Sequence, residues 1–283
     1  MQEFFKWTAW EMTPPESYGL FHILFMILGG FVVVSLAWLL RKTNERQNKI
    51  VLGIVGGFLI LTELYKQLFY FYVVKDCEYS WWIFPFQLCS VPMYLCIFCL
   101  FIKSEKVKSW IYNFMFAFNL FGGAISFAEP SGLNHSYWTL TIHAYVWHMT
   151  LVFVGLYLFF SNRAGQKWYD YFKGIAVFLI CCCIAQVFNV TLKNKGGVNM
   201  FYISPFENSP IFFFDNFNKQ YGWFANMCLY LFGLILGAAI LYYAFWGVRK
   251  LVHARRNKKL DPINKILKIV STEILDGLRN LQD

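Results

Sequence analysis

Residues 18–46 read YGLFHILFMILGGFVVVSLAWLLRKTNER, a long apolar run that ends in a cluster of charged residues. Between residues 18 and 40 there is no Asp, Glu, Lys or Arg. A helix needs about 20 apolar residues to cross the ~30 Å hydrocarbon core of a bilayer, because every backbone N–H and C=O must be bonded within the segment. The stretch therefore predicts a membrane-spanning helix followed by a polar loop.

Further segments of the same character follow along the chain. Hydrophobic residues make up 58% of the sequence and charged residues 14%, whereas a typical soluble domain has about 25% charged residues. We therefore predict an all-α polytopic membrane protein with seven transmembrane helices, at residues 18–40, 50–73, 82–102, 109–128, 139–160, 172–192 and 222–247.

Blocks of basic residues follow the first, third, fifth and seventh predicted spans, whereas the other loops are poor in basic residues. Because cytoplasmic loops retain Lys and Arg, this alternation predicts an outer N-terminus and a cytoplasmic C-terminus. The net charge of +9 is thus explained by topology, and no nucleic-acid partner is predicted. The basic blocks are Arg41, Lys42, Arg46 and Lys49; Lys103, Lys106 and Lys108; Arg163, Lys167 and Lys173; and Arg249, Lys250, Arg255, Arg256, Lys258 and Lys259.

This orientation is testable by cysteine-accessibility labelling of single-cysteine variants. Cysteines placed at Lys42 and Lys167 are expected to be reached only from the cytoplasm, and those at Glu78 and Asn208 only from outside. Labelling of position 42 from outside would overturn the orientation.

Three parts of the chain follow from these patterns. Residues 1–17 form an outer tail, residues 18–250 the seven-helix domain, and residues 251–283 a cytoplasmic basic segment and amphipathic helix. After Asp261 and Pro262, apolar residues recur at helical spacing, which predicts a helix on the cytoplasmic leaflet. Docking of this helix on a partner or on a second copy is the alternative.

Polar residues within the predicted spans fall mostly in their outer halves. Such residues cost several kcal/mol in hydrocarbon unless they face a cavity or one another. Their distribution predicts a polar cavity that opens outward above an apolar inner half. The residues are His22, Glu63, Lys66, Gln67, Gln87, Cys89, Ser90, Asn119, His143, His148, Gln186, Asn189 and Asn226.

Within the second span, Glu63 and Lys66 are spaced for pairing on one helix face. A neutralised structural pair and a polar element of the cavity are both compatible with this spacing, and Lys66 has the further option of extending toward the interface. We include Glu63 among the predicted substrate-binding residues.

Seven of the eight cysteines lie in apolar runs, and Cys77 lies in a predicted outer loop, so neither a disulfide framework nor a metal site is predicted. Cys89 differs from the rest because it stands in PFQLCSVP, residues 85–92. Pro92 is expected to kink the third span and to leave the Leu88 carbonyl free beside the thiol. Cys89 is therefore the candidate nucleophile.

A thiol becomes a nucleophile when a base or a cation stabilises its thiolate, and histidine is the usual partner. His143 and His148 lie on the fifth span at a depth similar to that of Cys89. Their spacing of five residues places them on different helix faces, so only one of them is expected to face the thiol. A histidine bonded to a helix carbonyl is the alternative role for either.

Three segments carry a family resemblance over most of the seven spans. They are PFQLCS (residues 85–90), IHAYVWHMTLVFVGLYLFF (residues 142–160) and NVTLKNKGGVNMFYISP (residues 189–205). Together they resemble the YwaF-like bacterial integral membrane proteins and the related eukaryotic transmembrane-164 acyltransferases. In the third segment the family pattern maps to Asn189, Asn199 and Pro205.

The resemblance implies a Cys nucleophile and a His that move a fatty acyl chain between lipids without a CoA donor. These roles map to Cys89 and His148. Bacterial members often carry His where this chain has Gln87, which removes a possible second base. The resemblance also implies an integral protein of the bacterial plasma membrane, with membrane lipids as its partners.

The leading hypothesis is membrane-embedded acyl transfer or lipid-ester hydrolysis by Cys89 and His148, with no cofactor. The alternative is a non-catalytic receptor, transporter or binding protein for a lipid or small molecule. The oligomeric state is left open. The predicted substrate-binding residues are Gln87, Ser90, His143, Asn189, Asn199 and Glu63, of which Gln87, Ser90, Asn189 and Asn199 are expected to hydrogen-bond the developing oxyanion or the lipid head group.

Overall fold

The computed structural model describes residues 2–209 and 211–279, and it describes side chains in these ranges except at residue 212 and from residue 258 onward. In the described part every regular element is helical, apart from a single β-bridge between Glu11 and Tyr137. The α-helices of this part, in chain order, are α1 (Gln2–Trp7), α2 (Leu20–Leu39), α3 (Glu45–Phe69), α4 (Val91–Phe101), α5 (Glu105–Phe114), α6 (Leu120–Ala128), α7 (Trp138–Phe160), α8 (Tyr171–Thr191), α9 (Phe212–Tyr221) and α10 (Trp223–Arg279).

Six of the seven predicted spans coincide with helices that are long and apolar enough to cross a membrane. A π-helical turn, Met115–Asn119, joins α5 to α6 so that the two form one span. The prediction of an all-α protein with several membrane-spanning helices is thus confirmed, although the side of each end is not shown. In the described residues these spans are Leu20–Lys42, Glu45–Val74, Glu105–Ala128, Trp138–Phe160, Trp168–Thr191 and Trp223–Asn257.

The predicted span at residues 82–102 is shorter than expected. Its helix, α4, has 11 residues, which gives a length of about 16 Å, well short of the ~30 Å hydrocarbon core. Phe84 precedes Pro85 and has a non-helical ψ of 131°, because proline disfavours helical geometry at the residue before it. The described residues therefore contain six candidate spanning helices and one short apolar helix, and the count of seven spans stays a prediction.

The kink expected at Pro92 is also absent. Pro92 is the second residue of α4, and in the first turn of a helix no backbone N–H has an intrahelical partner. Proline therefore begins this helix and does not bend it.

Small residues allow the central helices to approach closely. A Cβ atom on Gly123 would lie 2.9 Å from the backbone oxygen of His148, and one on Gly155 would lie 2.6 Å from Cβ of Leu120. Both glycines thus sit where α6 and α7 pack against each other. This packing brings the backbone of α7 at His148 against α6.

Polar contacts at the two ends of the helix bundle tie the loops together. We call the end formed by residues 70–90, 128–138 and 189–204 the Cys89 end, and the end formed by residues 41–48, 102–112 and 160–168 the Lys108 end. At the Lys108 end, the buried Lys108 ammonium lies 2.6 Å from Glu45 and 2.8 Å from Glu105. Arg163 donates a hydrogen bond to the carbonyl of Thr43, 2.7 Å away. Residues from the first three basic blocks therefore lie at the same end of the bundle.

The chain divides into two compact units, Met1–Tyr242 and Tyr243–Asp283. In the second unit the backbone is helical as far as Arg279, and the Lys250 ammonium lies 4.5 Å above the Trp246 ring. The predicted amphipathic face between residues 262 and 278 lies outside the described side chains. The predicted division at residues 17 and 250 stays a prediction.

Candidate functional site

The segment between α3 and α4 carries the predicted nucleophile. Cys89 is half-buried, and its backbone carbonyl accepts a hydrogen bond of 3.0 Å from Nε1 of Trp147 on α7. Ser90 is buried, its backbone N–H donates to the carbonyl of Gln87 (2.8 Å), and its hydroxyl lies beside the Cys89 thiol. The turn before α4 is therefore fixed both to itself and to α7.

Gln87 connects this turn to the loop that follows α8. Its Nε2 donates to the carbonyl of Asn199 (2.9 Å), and its Oε1 accepts from the backbone N–H of Phe201 (2.8 Å). The aromatic rings of Phe86 and Phe201 lie 6.0 Å apart at the same junction. Both amide atoms of Gln87 are thus engaged with loop backbone.

Asn189 and Asn199 bind the same loop from within. The buried Asn189 accepts from the backbone N–H of Met200 (2.6 Å) and donates to its carbonyl (3.1 Å). Asn199 accepts from the backbone N–H of Ser204 (2.9 Å) and donates to the carbonyl of Asn208 (3.1 Å). The structure brings Gln87, Asn189 and Asn199 together around residues 199–204, where their amides hold the backbone.

Glu63, Lys66 and Gln67 form a compact polar group on α3. The ammonium of Lys66 lies 2.8 Å from Oε1 of Glu63, which also accepts from Gln67 (2.7 Å). Gln67 donates to the carbonyl of Ile83 (2.7 Å) and accepts from the hydroxyl of Tyr79 (3.0 Å). Oε2 of Glu63 is buried and has no hydrogen-bond partner in the described part of the chain. The predicted ion pair is therefore present and keeps one free carboxylate oxygen.

This ion pair lies close to the other candidate residues. The charge of Lys66 acts on the Cys89 thiol and on the imidazoles of His143 and His148. The charge of Glu63 also acts on the Cys89 thiol. In contrast, the fully buried thiol of Cys96 points at the sulfur of Met115, 3.9 Å away. Cys89 thus has a more polar setting than Cys96.

The two histidines of α7 have different environments. Nδ1 of His148 lies 2.8 Å from the carbonyl of Ala144 one turn earlier. His143 packs its ring 5.3 Å from that of Trp147, and its Nε2 is buried with no hydrogen-bond partner among the described residues. No hydrogen bond between Cys89 and either histidine occurs among those residues.

The faces of α7 bear on which histidine meets the thiol. Trp147 reaches the Cys89 backbone, and His143, one turn earlier, lies on the same face as Trp147. His148 follows Trp147 directly and lies about 100° around the helix. The alternatives predicted from the spacing of five residues therefore stay open.

Two residues of the site were missed by the sequence analysis. Trp147 was treated as part of an apolar span, although buried indoles usually find a hydrogen-bond acceptor. Tyr202 stands three residues after Asn199, and it lies within electrostatic range of Cys89. No local pattern indicated Tyr202, because its position depends on a backbone conformation that Asn189, Asn199 and Gln87 impose.

No group of three or more His, Cys, Asp or Glu side chains that could hold a metal ion occurs within the searched, described residues. The candidate residues described above comprise a thiol, two imidazoles, an ion pair and a phenol. Such groups can in principle support covalent acyl transfer.

The helices and their hydropathy define a multi-pass integral membrane protein. Residues 17–247 match the model of the TMEM164 family. The chain belongs to the TMEM164 family, since the match covers most of its length. No curated protein and no solved structure matches the chain. The predicted relation to the YwaF-like proteins stays a prediction.

Proposed function

We propose that this protein is a membrane-embedded lipid acyltransferase or lipid-ester hydrolase, with Cys89 as nucleophile and His148 as general base. The observation that carries the proposal is the hydrogen bond between Nδ1 of His148 and the Ala144 carbonyl. A histidine in the alternative, structural role makes the same contact, and the value of the contact for the proposal is that it determines the tautomer of the ring. A carbonyl oxygen only accepts hydrogen bonds, so Nδ1 carries the proton and the neutral ring has its lone pair on Nε2. That is the protonation state a general base requires.

Two further contacts support this assignment. Trp147, the residue before His148, donates a hydrogen bond to the backbone carbonyl of Cys89. This bond joins α7 to the Cys89 segment one residue away from the proposed base. Lys66 places a positive charge near the thiol, but its ion-pair partner Glu63 opposes that effect, so removal of the thiol proton depends on the base. A base oriented by a third group, with a nucleophile nearby, is the arrangement that activates weak nucleophiles.

The chemistry proceeds through a thioester. His148 accepts the proton of the Cys89 thiol, and the sulfur attacks the carbonyl carbon of a lipid ester. The C=O electron pair moves to oxygen, then re-forms the carbonyl as the C–O ester bond breaks, and the leaving alkoxide takes the proton from His148. A lipid hydroxyl or water then attacks the thioester, gives its proton through His148 to the departing sulfur, and restores the thiol.

The polar residues around the pair have supporting roles in this proposal. Gln87, Asn189 and Asn199 shape the loop over Cys89, and Ser90 lies beside the thiol. Glu63 offers its free oxygen to the lipid head group. We propose that this group lines an outward-facing cavity and that acyl chains occupy the apolar part of the bundle beneath it. Membrane lipids are the proposed partners, and the bacterial plasma membrane is the proposed location.

Covalent labelling tests the proposal. A phospholipid probe with an activated acyl ester, added to membranes that contain the protein, is expected to transfer its acyl group to Cys89. The Cys89→Ala variant is expected to lose the label, whereas Cys96→Ala, which alters a buried cysteine on the neighbouring helix, is expected to keep it. Lipid mass spectrometry of cells that express the same variants supplies the second measurement.

The two predicted function classes give different results. If the wild type and Cys89→Ala take up equal label and leave the same lipid composition, the catalytic proposal is wrong. A non-catalytic binding protein then becomes the better account, with the free carboxylate oxygen of Glu63 as its candidate ligand contact.

A further inference from the structure

The loop after α8 contains two consecutive bulky residues in a left-handed backbone conformation. Phe201 and Tyr202 both have φ of 57°. This conformation is uncommon for residues other than glycine and costs roughly 1–3 kcal/mol at each residue, so the surrounding structure must enforce it. Strain of this kind concentrates at functional sites.

The enforcing contacts come from three amide side chains. Gln87 bonds the backbone N–H of Phe201, and Asn189 bonds both backbone groups of Met200. Asn199 accepts from the backbone N–H of Ser204 on the far side of the strained pair. The backbone is therefore held immediately before, within and after the left-handed residues.

This conformation sets the direction of the Tyr202 side chain. Tyr202 is half-buried, and it follows Phe201, whose backbone N–H donates to Gln87 (2.8 Å), two residues before Cys89. The Tyr202 ring is 6.3 Å from that of Tyr230 on α10. Its hydroxyl makes no hydrogen bond with any residue in the described part of the chain. The loop thus holds a phenol with an available O–H near the candidate nucleophile.

We propose that Tyr202 is a further catalytic residue, whose O–H donates a hydrogen bond to the oxyanion that forms when Cys89 attacks a lipid ester. This inference rests on the function proposed above. The hydrogen bond strengthens as the carbonyl electron pair moves to oxygen, and it weakens when the carbonyl re-forms and the C–O bond breaks. Tyr202 keeps its proton throughout, and His148 carries the proton that moves between the thiol and the leaving alkoxide.

The surroundings of the phenol suit a donor. Burial, together with the nearby Cys89, raises the pKa of Tyr202 to about 12. The hydroxyl is therefore protonated at neutral pH. A hydrogen-bond donor must carry its proton, whereas a general base must be deprotonated.

The experiment compares two reactions of Cys89 in Tyr202→Phe protein reconstituted in lipid nanodiscs. Acyl transfer from a phospholipid with a deuterated acyl chain to a lysophospholipid passes through an oxyanion, whereas alkylation by iodoacetamide does not. Loss of one oxyanion donor costs about 10²–10³-fold in rate, so we expect transfer to fall by about that factor and alkylation to stay within twofold. Tyr221→Phe makes the same chemical change at an exposed position and is expected to leave both rates unchanged.

Other outcomes contradict the inference in separate ways. Transfer within threefold of the wild-type rate would remove Tyr202 from the reaction. An equal fall in transfer and alkylation would make its role structural. Full transfer by Cys89→Ala in the same assay would instead contradict the proposed function itself, whatever the result for Tyr202→Phe.

Discussion

Replacing His148 with Ala is expected to lower the rate of acyl transfer by about 10²–10⁴-fold, the range typical of a lost general base. The same change is expected to slow alkylation of Cys89 by iodoacetamide at neutral pH, because fewer thiolates form without a proton acceptor. His148→Gln keeps a polar side chain of similar size without the base and is expected to behave like His148→Ala. Mass spectrometry of protein samples quenched at successive times measures the rate of alkylation, and lipid mass spectrometry measures the rate of transfer.

His143→Ala is the informative comparison for this prediction. His143 lies on the α7 face that carries Trp147 toward Cys89, and its Nε2 has no partner among the described residues. If His143→Ala slows alkylation and His148→Ala does not, the base has been assigned wrongly, and the local geometry outweighs the family resemblance. Wild-type rates in both variants would contradict the Cys–His mechanism.

The two cysteines of α4 provide an internal reference for alkylation. Cys96 and Cys99 are almost completely buried, so both are expected to react far more slowly than Cys89. Rapid alkylation of Cys96 or Cys99 in the folded protein would mean that exposure alone, without a base, determines which thiol reacts.

Much of the fold was predictable because the chemistry of the bilayer is strict. A spanning helix must be long, apolar and internally hydrogen-bonded, and six helices in the described part of the chain satisfy this. The helix of the third predicted span begins later than expected, because an apolar window gives no information on backbone geometry. Pro85 and Pro92 indicated an irregularity, but their positions are equally compatible with a kinked helix and with a late helix start.

The Lys108 end shows a second limit of the sequence. The inner halves of the spans were expected to be apolar. In the structure the side-chain oxygen of Asn113 accepts from the backbone N–H of Gly165 (2.9 Å), and the buried Asn48 bonds the hydroxyls of Tyr112 and Tyr157. Tyrosines counted as apolar therefore provide the partners that make a buried Asn stable.

The candidate site was predictable as a set of residues but not as a set of contacts. Polarity within apolar spans correctly singled out Gln87, Asn189 and Asn199, since a buried amide needs partners. The identity of those partners depends on the path of the loop at residues 196–205, which turns through positive φ at Gly196, Gly197 and Phe201. Periodicity and propensity do not encode such a path.

Replacing Asn189 with Leu is expected to destabilise the protein by about 2–6 kcal/mol. The change keeps the branching at Cγ and the number of side-chain heavy atoms, but leaves the N–H and C=O of the buried Met200 without partners, at about 1–3 kcal/mol for each group. Gln186→Leu is the matched control, because Gln186 lies one turn earlier on α8 and contributes only one contact of 3.2 Å to Asn189. Its expected cost is below about 1 kcal/mol. Unfolding by a denaturing detergent, followed by circular dichroism, measures both.

The functional consequence of Asn189→Leu should appear before the protein unfolds. Asn189 holds Met200, the residue before the strained pair Phe201 and Tyr202, so its loss is expected to release that pair toward ordinary backbone geometry. At temperatures where the variant is still folded, acyl transfer should therefore fall while alkylation of Cys89 stays close to the wild-type rate. If Asn189→Leu and Gln186→Leu have the same stability, the two hydrogen bonds to Met200 do not hold the loop. If stability falls as expected but transfer is unchanged in the folded variant, the loop conformation stabilises the fold without serving the reaction.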